Sequence, residues 1–304
     1  MPTLQQLRRK VKTIQNITHI IHSMETLSMV KIRALQDKAL RLKPYTEELF
    51  RILEEMVVRI PDEYLNHPLI KERPIFKTGV LVVTSDLGFC GSYNLQIIDA
   101  LEKFLNNKKS QNLSFYVIGS YAKRYLSQKK LNIKKAYFKF LEDTSFSHAR
   151  ILARELIDDF LKEEIDELYV IHFDFINIVR QEVRVHRILP MIPINLENKK
   201  EEFFIFLPSL SSILDPLLND IIETQIHQII LDSAASEQAF RRFAMKRAHE
   251  NAEKVYSKLL FQLNQVRQTQ ITRELLDITS SMETLEKEVK GFGRKSCSCK
   301  WSCC

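Results

Sequence analysis

The sequence predicts an α/β domain held between two long helices that pair as an antiparallel coiled coil. Three observations predict it. Only six glycines occur in 304 residues, which suits long helices and disfavours many tight turns. From Pro216 to Gly291 no glycine or proline intervenes. That is ~110 Å of helix at ~1.5 Å per residue, against a radius of gyration near ~15 Å for a compact domain of ~150 residues. Between those helices, short apolar runs alternate with amphipathic segments of about 10–15 residues, the pattern of an open α/β sheet.

Composition sets the outer limits. With 45% apolar and 27% charged residues, the chain is that of a folded soluble protein and too apolar for a disordered one. No apolar run approaches ~20 residues, so no membrane span is expected. The start, "MPTLQQLRRK", shows no apolar signal core and no transit peptide, which argues against secretion. The formal net charge of +7 suggests an acidic or phosphate-rich partner. One cysteine, Cys90, lies in the body of the chain and four lie in the terminal "CSCKWSCC". Such a distribution is no disulfide framework and points to a reducing compartment.

The elements follow in order. In residues 1–60, Leu4, Leu7, Val11, Ile14, Ile17, Ile21, Met24 and Leu27 recur at spacings of three and four, one apolar stripe on a helix that Pro44 is expected to kink or interrupt. Residues 61–78 carry Pro61, Pro68 and Pro74 and read as a linker. Residues 79–209 form the α/β domain. Within it "GVLVVTSD", "LSFYVIGS", "IKKAYFKF" and "DELYVIHFDFIN" are strands, while "NLQIIDALEKFLNN", "YAKRYLSQKK" and "SHARILARELIDDFLKEEI" are helices. "QEVRVHRILP" and "EEFFIFLP" are expected to form a hairpin or edge strands. Residues 210–290 form the second long helix, with Met245, Ala248, Ala252, Val255, Leu259, Leu263 and Val266 as a narrow seam between charged flanks. Gly291 and Gly293 are expected to stop it, leaving residues 291–304 as a Cys-rich tail without order.

No catalytic constellation can be assembled. "TSDLGFCGSYN" (84–94) follows a strand and opens a helix, where a phosphate loop would sit. It lacks the Gly-Lys-Ser/Thr of a P-loop and the third glycine of a dinucleotide fingerprint, so it reads as a structural turn. Cys90 has no neighbouring base and reads as a small buried thiol. His19 and His22 are too few for a metal site. "DDFLKEEIDE" reads as a solvated acidic face. The terminal Cys297, Cys299, Cys303 and Cys304 are too closely spaced for a structural zinc site. The basic residues Arg8, Arg9, Lys10, Lys12, Lys31, Arg33, Lys38, Arg41 and Lys43, with Arg241, Arg242, Lys246 and Arg247, stud both long helices. A coiled-coil flank, nucleic-acid binding or a rod in an acidic sleeve would each explain them. Stacking aromatics are absent between the N-terminal charges.

Five blocks carry a resemblance: "VKTIQNITHIIHSMETLSMVKIRALQ", "KPYTEEL", "TSDLGFCGSYN", "SAASEQAFRRFAMKRAHENA" and "VRQTQITRELLDITSSMETL". In this order, from Leu4 to about Leu285, the chain resembles the gamma subunit family of the F-type ATP synthase, bacterial type. The resemblance implies a coiled coil of the terminal helices and a Rossmann-like central domain. It implies a non-catalytic rotor shaft without cofactor or metal, turned by a proton-driven c ring inside a hexamer of alpha and beta subunits, beside the epsilon subunit. It places the chain peripherally on the cytoplasmic face of the bacterial inner membrane. By motif, Met24 in "HSMETL" matches a methionine beside the acidic lever loop of beta, and Arg241 in "AFRRFAMK" matches a basic position coupled to it. Arg267 and Gln268 in "VRQTQ" match a polar pair at the catch region of beta, and Thr272 and Glu274 in "ITRE" match further positions there. Ser280 and Ser281 replace the small Gly and Ala usual in the family, and the tail has no counterpart. The competing class is a basic coiled-coil protein that binds nucleic acid, with salt-sensitive affinity.

Overall fold

The computed structural model describes residues 3–59, 67–108, 112–191 and 210–295. In chain order its elements are α1 (Leu4–Arg59), β1 (Lys77–Val83), α2 (Tyr93–Asn107), β2 (Asn112–Ile118), α3 (Ser120–Gln128), β3 (Ile133–Tyr137), α4 (Phe146–Leu161), β4 (Glu167–Phe175), β5 (Gln181–Leu189) and α5 (Leu210–Lys295). They divide into two compact units, one joining Met1–His22 to Arg247–Cys304 and the other comprising Ser23–Lys246.

The larger unit holds one five-stranded sheet of order β3-β2-β1-β4-β5. β1, β2, β3 and β4 pair in parallel, and β5 closes one edge antiparallel to β4. Right-handed crossovers dictate where the helices go. β1 to β2 to β3 steps one way across the sheet and puts α2 and α3 on one face. β3 to β4 steps back and puts α4 on the other. The strand side chains alternate to match. Val80 and Val82 pack with Ile97 and Leu101 of α2 and Leu126 of α3. Leu81 and Val83 pack with Leu152 and Leu156 of α4, with Leu35 and Leu53 of α1, and with Ile222 and Ile229 of α5. The first third of α5 is therefore a core element. Every residue from Ile229 to Ala239 is buried, and Ser233, Ala234, Ala235, Ser236 and Ala239 are small enough for neighbours to approach on all sides.

In the smaller unit α1 and α5 run antiparallel. The His22 and His249 rings are 5.3 Å apart, while Gln15, Thr18 and His19 share a cleft with Glu253 and Tyr256. As numbers fall along α1 they rise along α5. Leu7 is 2% exposed at this seam.

Several details depart from the expectations. Pro44 lies inside α1 without ending it; it costs one backbone bond, and the helix is held beside it by Leu49 and Leu53 in the core. Gly291 and Gly293 lie within α5, which runs on to Lys295. The inward positions of α1 continue as Ile14, Thr18, Ile21, Glu25 and Ser28, and Ile17 and Leu27 face out at 40% and 55% exposure. In α5 it is Tyr256 that turns inward, and Val255 is 46% exposed. The acidic run is no solvated face throughout. Asp159, Asp166 and Glu167 are buried, bound respectively by Tyr116 at 2.6 Å, by the Phe76 and Lys77 amides at 2.9 Å, and by Thr78 and Lys108 at 2.7 Å. The run leaves the end of α4 and reaches the first residue of β4, Glu167, so its two ends are drawn into the core while Glu163 and Glu164 stay outside. "EEFFIFLP" and the four terminal cysteines lie outside the described residues.

Gly119 tests the junction after β2. Its φ is +95°, and a Cβ there would stand 2.2 Å from the Thr84 carbonyl oxygen. Gly119→Ala is expected to lower the unfolding free energy by on the order of 3 kcal/mol. Gly88→Ala, with nothing within 4 Å of its Cβ, is expected to change it by less than ~0.5 kcal/mol. Urea denaturation measures both, and equal losses would remove the steric account.

Candidate subunit-contact site

The block 84–94 uses its polar groups on its own chain. Thr84 Oγ1 donates to the Ile118 carbonyl at 3.0 Å and accepts from the Ala122 amide at 3.0 Å. Ser85 N–H donates to Asn94 Oδ1 at 3.0 Å, and Asn94 Nδ2 donates to Ser85 Oγ at 2.7 Å and to Cys90 Sγ at 3.3 Å. Asp86 accepts from the amides of Ser120 and Lys139 at 3.0 and 2.7 Å, tying together the ends of three strands. Cys90 is a buried free thiol. The loop is thus a structural turn with the side chains of Thr84, Ser85, Asp86 and Asn94 committed. Its large exposed side chains are apolar: Leu87 at 60% and Phe89 at 73% exposure, Phe89 with a positive φ of 61°. Sequence reading missed these two, because both sit among polar turn residues.

Behind the loop stands Arg241. Its guanidinium donates to Glu237 Oε1 at 2.5 Å and to the Gly88 carbonyl at 3.4 Å, and the residue is 6% exposed. Burial holds the Glu237 carboxyl above the usual carboxylate range, with Arg241 opposing the rise. A lone buried carboxylate would be costly, so the pair is interdependent. Gly91, at φ +56°, lies against α5: a Cβ there would stand 3.6 Å from Ala244 Cβ and 3.7 Å from the Phe240 carbonyl oxygen. Arg241 therefore fastens the loop to α5 from inside. Met24 belongs to the same unit and is half-buried on α1.

Arg267, Gln268, Thr272 and Glu274 belong to the other unit. All four are exposed, as is every residue from Arg267 to Leu285. The reason is geometric. If His22 faces His249, Leu4 faces roughly residue 267 at equal rise per residue on both helices, and α1 has nothing left to cover the residues beyond that point. Within this stretch Gln270 donates to Glu274 at 3.0 Å and Thr272 to the Gln268 carbonyl at 2.9 Å. The apolar stripe also changes phase. The seam Ala252, Tyr256, Leu259, Leu263, Val266 would continue through Gln270, Arg273 and Asp277, which are polar. Ile271, Leu275, Ile278, Met282 and Leu285 instead lie one residue further round and are 45–67% exposed. Among the described residues no group of three or more His, Cys, Asp or Glu could hold a metal ion, and no helix is long and apolar enough to cross a membrane.

Comparison with known proteins accords with this architecture. Residues 3–285 match the family model described as ATP synthase. The ATP synthase gamma chain of Dictyoglomus thermophilum is 77% identical over 290 residues, covering 95% of this chain and 100% of that one. The gamma chain of Geobacter metallireducens is 31% identical over 94% of this chain and 100% of that one. Among solved structures, a chain of the Euglena gracilis mitochondrial ATP synthase, OSCP/F1/c-ring, superposes with a TM-score of 0.65 at 13% identity, covering 94% of this chain and 96% of that one. That likeness is one of fold.

The two arginine environments make opposite predictions for the isolated chain. Arg241→Ala leaves Glu237 buried without its cation and is expected to cost about 3 kcal/mol of stability. Arg267→Ala, fully outside, is expected to stay within ~0.5 kcal/mol of the parent. Thermal or urea melts separate them; a silent Arg241→Ala would mean that the buried pair does not hold the loop.

Proposed function

The chain belongs to the gamma-chain family of ATP synthases, and on that premise we propose that it is the central rotor shaft of a proton-translocating F-type complex. It is a subunit of the synthase and not its catalyst. In this reading the paired helices of residues 1–60 and 210–290 are the shaft, and residues 79–209 are the domain at its foot. The shaft fills the hexamer of alpha and beta subunits, while the foot sits with epsilon on the c ring at the cytoplasmic face of the bacterial inner membrane. Rotation of an asymmetric shaft presents each beta subunit in turn with different contacts and so shifts its conformational equilibrium. The nucleic-acid reading finds no support among the matched relatives.

The observation that carries the reading is the bare stretch from Arg267 to Leu285, exposed at every residue in a chain 77% identical to a gamma chain throughout its length. A helical stretch exposed on all sides and bearing an apolar stripe requires an enclosing partner. Arg267, Gln268, Thr272 and Glu274 are its polar contacts with beta. Screened polar contacts of about 1 kcal/mol form and break, as a turning shaft requires. Met24 contacts the acidic lever loop of beta. Arg241 is the basic position coupled to it across the coiled coil, and its bond to the Gly88 carbonyl adds a positioning role toward the 84–91 loop.

Two measurements on the reconstituted complex check these roles. Replacing Arg267 and Gln268 together by Ala is expected to lower ATP turnover several-fold with assembly intact; lost assembly with normal turnover in the remainder would contradict the contact. Met24→Lys adds a cation beside acidic groups, a strong attraction. It is expected to impair proton pumping more than hydrolysis, and equal losses of both would count against it.

A further inference from the structure

The larger unit contains a cavity of about 550 Å³ that the shaft role leaves unused. α1 contributes Lys43, Glu47 and Phe50 to its walls, the β4–β5 hairpin His172, Asp174, Phe175, Arg184 and His186, and α5 Gln228 and Asp232. Its lining residues include buried acceptor atoms that have no donor. His172 is 4% exposed. Its Nδ1 lies 2.9 Å from the Phe173 carbonyl oxygen and so carries the ring proton, which makes Nε2 a lone-pair acceptor. That Nε2 is buried without a partner. Gln228 donates its amide to both Asp232 oxygens, at 3.0 and 3.1 Å, and its Oε1 is likewise buried without a partner. The His186 ring stands 5.2 Å from that of His172, its Nδ1 also unpartnered. The hairpin cation that lines the cavity is already engaged, with Arg184 bound to Asp174 at 2.9 Å. Lys43 and Glu47 are exposed and oppose each other in charge.

We propose that this cavity is a binding site for a small protonated amine, its ammonium held by Asp232, Gln228 Oε1 and His172 Nε2. An ammonium supplies three donors and no acceptor, which is what this set of atoms lacks. Buried acceptors left unpaired are costly. The volume exceeds a single water's share of ~30 Å³ many times over and falls in the ~300–1,000 Å³ range of small-molecule pockets. Phe50 and Phe175 line the same cavity and supply apolar surface for a methylene stem. An anion is excluded by the same acceptors. Burial raises the Asp232 carboxyl to about 7, with Asp174 adding to the rise and Gln228, Lys43 and Arg184 opposing it. Burial holds both His172 and His186 below the usual imidazole range, so they are neutral acceptors there. A cation site built on Asp232 therefore strengthens as pH rises toward 7 and levels above it.

The test is calorimetric titration of the purified full-length chain with putrescine at constant ionic strength. Saturable binding is expected, tightening about tenfold per pH unit from 5 to 7 and levelling above, as one-proton linkage requires. Asp232→Asn and, separately, Gln228→Leu are expected to weaken it at least tenfold. Glu182→Gln, on the same hairpin but outside the cavity, is expected to leave it unchanged. Absence of saturable heat, equal binding of the neutral diacetylated diamine, or unchanged affinity in both cavity variants would each overturn the proposal and leave the cavity to water.

Discussion

Between Ile229 and Ala239, α5 buries every residue it has, and the larger unit is organised around that burial. The segment packs with the Leu81 and Val83 face of the sheet, α4 and α1 in one continuous core. A little further along, Phe240 reaches the opposite core and meets Tyr93 and Phe173 with ring centroids 5.9 and 5.1 Å away. A helix surrounded on all sides cannot present a narrow stripe. It must be small where backbones crowd and apolar where they do not, as Ser233, Ala234, Ala235, Ser236 and Ala239 beside Ile229, Ile230 and Leu231 show. Each large side chain so buried contributes roughly 1.5–3 kcal/mol. Through this one segment α1, the sheet and the 84–94 loop are fastened to the same helix.

Polar chemistry is distributed by the same logic. Where α5 is inside the domain, its charges are spent internally: Arg241 on Glu237 and Gly88, Glu223 on Arg150 and Arg154 at 2.8 and 2.9 Å. From Arg267 to Leu285 its charges face outward. Arg241 and Arg267 are the same residue type on the same helix, and their surroundings assign them different work. One positions a loop; the other is free to meet another surface.

Periodicity made the elements legible, because alternation and three-four spacing derive directly from strand and helix geometry. The strands of the sheet and the helices between them were readable for that reason. The seams were less so. Thr18, Glu25 and Ser28 occupy inward positions of α1, and a reading that tracks only apolar residues slips to Ile17 and Leu27. Tyr256 displaced Val255 in the same way. Arg241 reads in the sequence as one of several basic positions, but its burial depends on Glu237 one turn earlier and on a carbonyl 153 residues away in sequence. Contacts of that separation leave no periodic trace. The buried half of the acidic run escaped for a related reason, since its partners Thr78, Lys108 and Tyr116 lie on other elements.

The bare stretch of α5 after Val266 has a bearing on the life of the chain before it finds its place. Its helix has neither a core nor a second helix to protect its backbone, so local opening there costs far less than opening at Ile229–Ala239. Its exposed stripe of Ile271, Leu275, Ile278, Met282 and Leu285 is sticky while unenclosed. An orphaned chain is therefore most open to proteases, and most prone to aggregate, at the very residues that enclosure would hide. In an unassembled chain these exposed residues would be the first to open and the first to associate.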